Sequence, residues 1–137
     1  MRALAAALVL LCAAPVAAEG VSPEFTLIPG DPVEAQLGAA ASASLTISPA
    51  AGYSLHKGVG VTIRLSVEPA QGVKLPRRRL SRDDAADPRA DAPRFDLPFS
   101  GEAAGAYTLR ADVRFWVCGQ RTCRPARGQV QIPFVIR

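Results

Sequence analysis

Residues 105–118, GAYTLRADVRFWVC, alternate between apolar and polar side chains along their whole length. At the two-residue period of a β-strand, one side of this segment is entirely apolar and faces a core. The inward set is Tyr107, Leu109, Ala111, Val113, Phe115 and Val117. The outward set is Thr108, Arg110, Asp112, Arg114 and Trp116. The pattern predicts a strand long enough to cross a whole domain.

The same alternation recurs in two other segments. The apolar positions of one face are Val59, Val61, Ile63, Leu65 and Val67 in the first, and Val130, Ile132, Phe134 and Ile136 in the second. Pro133 cannot donate to a sheet ladder, so it indicates an edge position or a bulge. Weaker strands are predicted over residues 25–28, 33–37, 42–47 and 95–99, the last with Phe95, Leu97 and Phe99 inward.

Short alternating strands separated by Gly and Pro turns, without helical periodicity, are typical of an all-β fold. About seven strands in roughly 100 residues is the size of an immunoglobulin-like antiparallel β-sandwich. We therefore predict a single domain of this kind over residues 19–137. Tyr107, which follows the turn at Gly105, is either the tyrosine corner of such sandwiches, with its hydroxyl bonded back to the preceding loop, or an ordinary buried tyrosine.

The segment 75–94 is rich in charge and contains Pro76, Pro88 and Pro93. Because proline interrupts helices and mixed charges prefer water, we predict a solvated loop. The arginine triplet at 77–79 could contact a polyanion, but no aromatic residue is interleaved with it for stacking on bases. Since the net charge of the chain is only +4, we expect no nucleic-acid partner.

The first eighteen residues have the pattern of a secretory signal peptide. Arg2 is followed by an apolar run over residues 3–11 and by small residues at 16–18. This run is too short to span a membrane. Leu11 ahead of Cys12 argues against a lipid-attachment cysteine. We expect removal of residues 1–18, export, and no membrane span in the mature chain.

Few residue types are present for catalysis or metal binding. The chain has no Asn and one His, His56, which excludes chemistry that relies on an Asn or on a pair of His residues. A structural zinc site takes a full tetrahedral set of ligands. The two cysteines of the mature chain and His56 are too few for it. We therefore expect no metal and no cofactor, and we place His56 in a loop or at the start of a strand.

Cys118 and Cys123 are the cysteines that remain after signal removal. They lie between the two longest strands, which pair most simply as a hairpin with residues 118–127 at its tip. The cysteines then face each other. Opposed residues are about 4.5 to 5.5 Å apart, within the Cα–Cα span of about 4.4 to 6.8 Å that a disulfide needs. An oxidising compartment favours the bond.

Strand parity and charge bear on the reactivity of this pair. Cys118 continues the outward parity of Trp116, so we expect the cysteines to be reachable from solvent. Arg121 and Arg124 lie close in sequence, and nearby cations favour the thiolate that attacks disulfides. The closed loop is so short that the bond contributes only about 2 kcal/mol to stability. An inert structural disulfide would nevertheless have the same sequence.

Three motifs occur in order: Gly52-Tyr53 to His56 ahead of an amphipathic strand, Gly105-x-Tyr107, and Phe115-Trp116-Val117-Cys118-x4-Cys123-x-Pro125. Over roughly residues 40–136 the chain thereby resembles the periplasmic N-terminal domain of the DsbD family of thiol:disulfide interchange proteins. The resemblance implies an immunoglobulin-like domain in the periplasm that passes reducing equivalents through Cys118 and Cys123. It also matches Pro125 to the proline that commonly follows the second cysteine.

The chain departs from that family in two respects. It has no transmembrane segments and no Cys-x-x-Cys thioredoxin domain, so any electron supply would come from partners in trans. The aromatic cap loop that shields the family's cysteines has no equivalent, because the loop in a similar place, 77–91, contains no aromatic residue.

Two functional hypotheses follow from the sequence. The first is an exported thiol:disulfide exchange module, with Cys118 and Cys123 as catalytic residues and thioredoxin-like or disulfide-carrying periplasmic proteins as partners. The second is a secreted immunoglobulin-like interaction or scaffold domain whose disulfide is purely structural. The sequence does not decide which cysteine reacts first.

Overall fold

Ten strands and one turn of 3-10 helix make up residues 22–137, the part of the chain that the computed structural model describes. The strands are β1 Phe25–Pro29, β2 Val33–Ala35, β3 Ala40–Pro49, β4 Ser54–Leu55, β5 Thr62–Glu68, β6 Val73–Lys74, β7 Arg79–Ser81, β8 Arg94–Gly101, β9 Gly105–Cys118 and β10 Cys123–Ile136. The helical turn is Arg82–Asp84. The predicted signal peptide and Cys12 lie outside the described residues.

The strands form two sheets that pack face to face. The first sheet has the order β1-β3-β8-β6, and the second has the order β2-β10-β9-β5-β7, with β4 pairing the end of β9. All pairs are antiparallel except β2 with β10. The predicted antiparallel β-sandwich is confirmed, and β2 adds one parallel pair to it. This strand arrives from β1 in the other sheet, so a crossover and not a hairpin sets its direction.

The core lies between the sheets and is built from the inward sets that the alternation predicts. The predicted inward residues of β9 and β10 are all buried, as are Phe95, Leu97 and Phe99 of β8. Phe99 of the first sheet packs on Phe134 of the second, with ring centroids 4.3 Å apart, and Phe25 meets Phe115 edge to face at 4.8 Å. These aromatic pairs join the two sheets. The prediction of β9 is confirmed, whereas β10 begins at Cys123, so residues 123–127 belong to the ladder and not to the predicted hairpin tip.

Tyr107 forms the tyrosine corner that the sequence left open. Its ring is buried and stacks on Phe134, and its hydroxyl donates a hydrogen bond to the carbonyl oxygen of Ala103 at 2.8 Å. Gly72, at a φ of 96°, lies against the same hydroxyl, where a Cβ atom would collide with it. The bond holds the turn that leads into β9.

Val59 corrects one end of a predicted strand. The alternation places it inward, but β5 begins at Thr62 and the Val59 side chain is 38% exposed. The reason is a local turn, in which the backbone N–H groups of Gly58 and Val59 donate to Nδ1 of His56 at 2.9 and 3.0 Å. Val61 is the first buried residue of the set.

The charged segment 75–94 is more ordered than a solvated loop. Its β7 pairs with β5, with Leu80 buried between Arg79 and Ser81, and Ala85 bridges to Phe95. A strand of three residues with one apolar position is too short to show a period in the sequence. The prediction of a wholly solvated loop is therefore wrong, although most of the charged side chains are exposed.

An ion pair organises the helical turn in that segment. The Asp84 carboxylate accepts hydrogen bonds from the Arg77 guanidinium and, at 2.8 Å, from the backbone N–H of Ser81. Arg77 first, and then the Ser81 N–H, lower the pKa of Asp84 below its ordinary value. The ionised carboxylate therefore stabilises the turn at neutral pH, and that contribution is lost as the pH falls through the lowered pKa.

The outer edge of β10 is mostly unpaired. Its contact with β2 covers only Phe134–Ile136, while Pro133 lies on the free stretch opposite Thr108. The prediction of an edge position for Pro133 is confirmed.

Within residues 22–137 there is no helix with the length and apolar character needed to cross a bilayer.

Candidate functional site

The candidate site lies at the tip of the β9–β10 hairpin. The backbone N–H of Gly119 donates to the carbonyl oxygen of Thr122 at 2.9 Å and closes the turn. Cys118 and Cys123 form the next pair along the ladder. Because hydrogen-bonded and non-hydrogen-bonded pairs alternate in an antiparallel sheet, this pair exchanges no backbone hydrogen bonds, and its side chains lie close together. A disulfide joins them, with an S–S distance of 2.04 Å. Their Cα atoms are 3.9 Å apart, closer than the sequence-based range.

The disulfide is on the outward face of the second sheet, as strand parity predicts. Cys118 is half-buried and Cys123 is exposed. Val117, which precedes Cys118 on β9 and faces inward, is 1% exposed and belongs to the core. Of the two cysteines, Cys123 is therefore the more exposed residue.

Residues 53 and 54 flank the disulfide on the side away from β10. Ser54 of β4 is the register partner of Cys118. The Tyr53 ring packs over the turn, since a Cβ atom added at Gly119 would lie 3.4 Å from it. Sequence reasoning met Tyr53 only within a resemblance motif and gave it no role. Its placement depends on β4, a strand of two residues that no alternation could reveal.

Exposed apolar side chains surround the pair. Trp116 and Pro125 are directly opposed one row below the disulfide, and Trp116 is 37% exposed. Together with Val59 they line a surface depression of about 410 Å³. A second depression of about 470 Å³, lined in part by Tyr53, lies on the other side of the turn. The two depressions lie next to the hairpin tip that carries the disulfide.

The two arginines near the disulfide differ in their partners. Arg121 is exposed in the turn, but Arg124 has inward parity at the end of the sandwich and reaches Glu24 ahead of β1. Its Nε donates to a Glu24 carboxylate oxygen at 2.7 Å, and a second nitrogen contacts the other oxygen. The charge of Arg124 is therefore balanced by Glu24, whereas Arg121 makes no ion pair within residues 22–137. The influence of either arginine on a cysteine thiolate stays a prediction.

His56 is a loop residue, as predicted. Besides accepting the two N–H groups described above at its Nδ1 atom, it donates its own backbone N–H to the carbonyl oxygen of Trp116 at 2.8 Å. It therefore anchors the loop 56–60 against β9, next to Trp116. Residues 22–137 contain no cluster of His, Cys, Asp and Glu side chains that could hold a metal ion.

The comparisons with known proteins bear on the fold alone. No family model and no curated protein matches the sequence. Among solved structures, a cohesin module from the family 33 glycoside hydrolase of Clostridium perfringens ATCC13124 is similar, with a TM-score of 0.51. The fold is an immunoglobulin-like β-sandwich. The match covers 85% of this chain and 100% of that module at 7% sequence identity, so this sandwich carries no functional assignment with it.

Proposed function

We propose that the chain is an exported thiol:disulfide exchange module whose reactive group is the Cys118–Cys123 disulfide. The observation that carries the proposal is the position of this bond on the outward face of the hairpin tip, with Cys123 exposed. Tyr53 and Trp116 beside it are partly exposed as well. The resemblance to the DsbD family points in the same direction.

A purely structural role explains this position less well. The β9–β10 ladder runs over 14 residues of each strand, from Cys118 and Cys123 to the far end of the sandwich. The disulfide closes the end of a hairpin that is already paired throughout. A loop of this size contributes about 2 kcal/mol, which is small beside the burial of a two-sheet core.

The proposed reaction needs a partner dithiol as reductant and no cofactor. A partner thiolate attacks Sγ of Cys123, which forms a mixed disulfide and releases Cys118 as a thiolate that takes up a proton. The second partner thiol then attacks the mixed disulfide, so that the partner leaves oxidised and Cys123 leaves as a thiol. Two electrons pass to this chain. We assign the first attack to Cys123 because it is the more exposed of the two cysteines.

A trapping experiment tests both the exchange and the attack order. The oxidised protein is mixed with a reduced thioredoxin-type protein whose second active-site cysteine is replaced by Ser. The reaction is quenched with acid, because the Cys118 thiol that the attack releases could otherwise reverse it. The partner itself cannot resolve the mixed disulfide, and peptide mapping should place it at Cys123. Equal adducts at both cysteines would contradict the attack order. No adduct with the folded chain, although the urea-unfolded chain reacts, would contradict the exchange function.

A further inference from the structure

The outward side chains of the second sheet form rows that start at the disulfide. Row two holds Trp116 and Pro125, row three holds Thr62, Arg114 and Arg127, and row four holds Arg79, Arg64, Asp112 and Gln129. Successive rows are two residues apart on each strand, about 7 Å. Arg114 therefore lies about 13 Å from Cys118 along β9, within the radius of one protein–protein contact.

Rows three and four carry like charges directly opposite each other. Arg114 faces Arg127, and Arg64 faces Arg79, an arrangement that by itself destabilises a sheet. Within residues 22–137 none of these four arginines makes an ion pair. All four are exposed. The arrangement leaves positive charge on this face for an external group to balance.

The carboxylate in these rows is already engaged. Asp112 accepts a hydrogen bond from the Gln129 amide at 2.9 Å and lies 3.8 Å from the Arg110 guanidinium. It is also the register partner of Arg64, but no ion pair joins the two side chains. Asp112 consequently leaves the charge of Arg114 and Arg127 unbalanced.

The shape of the face is concave. A depression of about 530 Å³ is lined by side chains of rows three and four, and Arg114 and Arg127 also line the depression over Trp116 and Pro125. An apolar centre beside a charged rim is the usual make-up of a protein interface. Row two supplies the apolar centre next to the disulfide, and row three supplies the rim.

We infer that this face docks an acidic surface of a protein partner, with Trp116 as the apolar anchor and Arg114 and Arg127 as the groups that pair with carboxylates. The inference rests on the proposed exchange function and names the chemistry of its partner. A second copy of the chain would bring the same arginines and be repelled. A nucleic acid fits this face less well, because the Asp112 carboxylate lies among the arginines and would repel a phosphate backbone. One exposed aromatic ring, that of Trp116, is also too little for the stacking of successive bases.

Two synthetic peptides test the inference through the rate at which their thiols open the disulfide. Each peptide carries one cysteine next to a leucine, with three flanking glutamates in one peptide and three lysines in the other. At low salt we expect the acidic peptide to react about tenfold faster per thiolate with the wild-type protein, and high salt should remove the difference. In the variant Arg114→Glu with Arg127→Glu, the preference should disappear or reverse.

The matched control is Lys74→Glu with Arg89→Glu, which changes the net charge equally at exposed positions off this face and should keep the preference. Dithiothreitol, which is uncharged, should reduce all three proteins at similar rates.

If dithiothreitol fails to reduce the folded wild type, the exchange function fails. If it reduces all three and the charge reversal leaves the peptide preference unchanged, the docking inference fails. Retention of the wild type alone on heparin, without any peptide preference, would assign the face to a polyanion and also overturn the inference.

Discussion

Val113→Asp should remove a large part or all of the free energy of unfolding of the domain. Val113 is 1% exposed and lies near the middle of β9, between Ile63 of β5 and Gly128 of β10. A carboxylate there has no partner within the core, so its burial costs at least about 4 kcal/mol. A domain of this size has a total stability of about 5 to 15 kcal/mol. Circular dichroism and urea unfolding measure the loss directly.

The control for this prediction is the next residue, Arg114→Asp, which places the same carboxylate on the exposed face. We expect its free energy of unfolding to stay within about 0.5 kcal/mol of the wild type. The two substitutions differ only in strand parity. Equal losses would show that the register of β9, and with it the outward placement of Cys118, is wrong.

The double variant Cys118→Ser with Cys123→Ser should lose all exchange and keep its fold. The remaining ladder and the aromatic contacts between the sheets do not involve the cysteines. The free energy of unfolding should fall by no more than about 2 kcal/mol. Urea unfolding measures the stability, and the oxidation of a reduced thioredoxin-type protein measures the exchange.

Gln120→Ala is the matched control in the same turn, because it removes an exposed side chain and leaves the disulfide in place. It should keep both the stability and the exchange rate. Loss of the folded state in the cysteine double variant would instead make the disulfide a structural requirement. Such a result would favour the scaffold hypothesis over the exchange hypothesis.

The long strands were predictable because each contains enough alternating positions to define a face. Val113 and Arg114 in β9, or Ile132 and Gln131 in β10, belong to opposite faces in the structure as in the sequence. Shorter elements carried no such signal. Leu80 is the one buried residue of a three-residue strand, and a single apolar position between Arg79 and Ser81 defines no period. Val59 fits the apolar period of β5, but it lies before the start of the strand, in the turn around His56.

The candidate site was predictable where it depends on local order. The parity of Cys118 and the hairpin that brings Cys123 opposite it follow from residues a few positions apart. The pairing of Arg124 with Glu24 joins residues 100 positions apart in the chain, and the Tyr53 contact depends on a two-residue strand. Such contacts are consequences of the tertiary fold, and a local pattern does not encode them. The opposed arginines likewise needed the registers of four strands.

The reduction potential of the Cys118–Cys123 pair tests the central proposal most directly. The folded protein is equilibrated with dithiothreitol buffers of known ratio, and free thiols are counted by alkylation and mass. An exchange-active disulfide on an exposed hairpin tip should have a potential above about −300 mV. A potential below about −300 mV would mark the bond as structural and contradict the proposal.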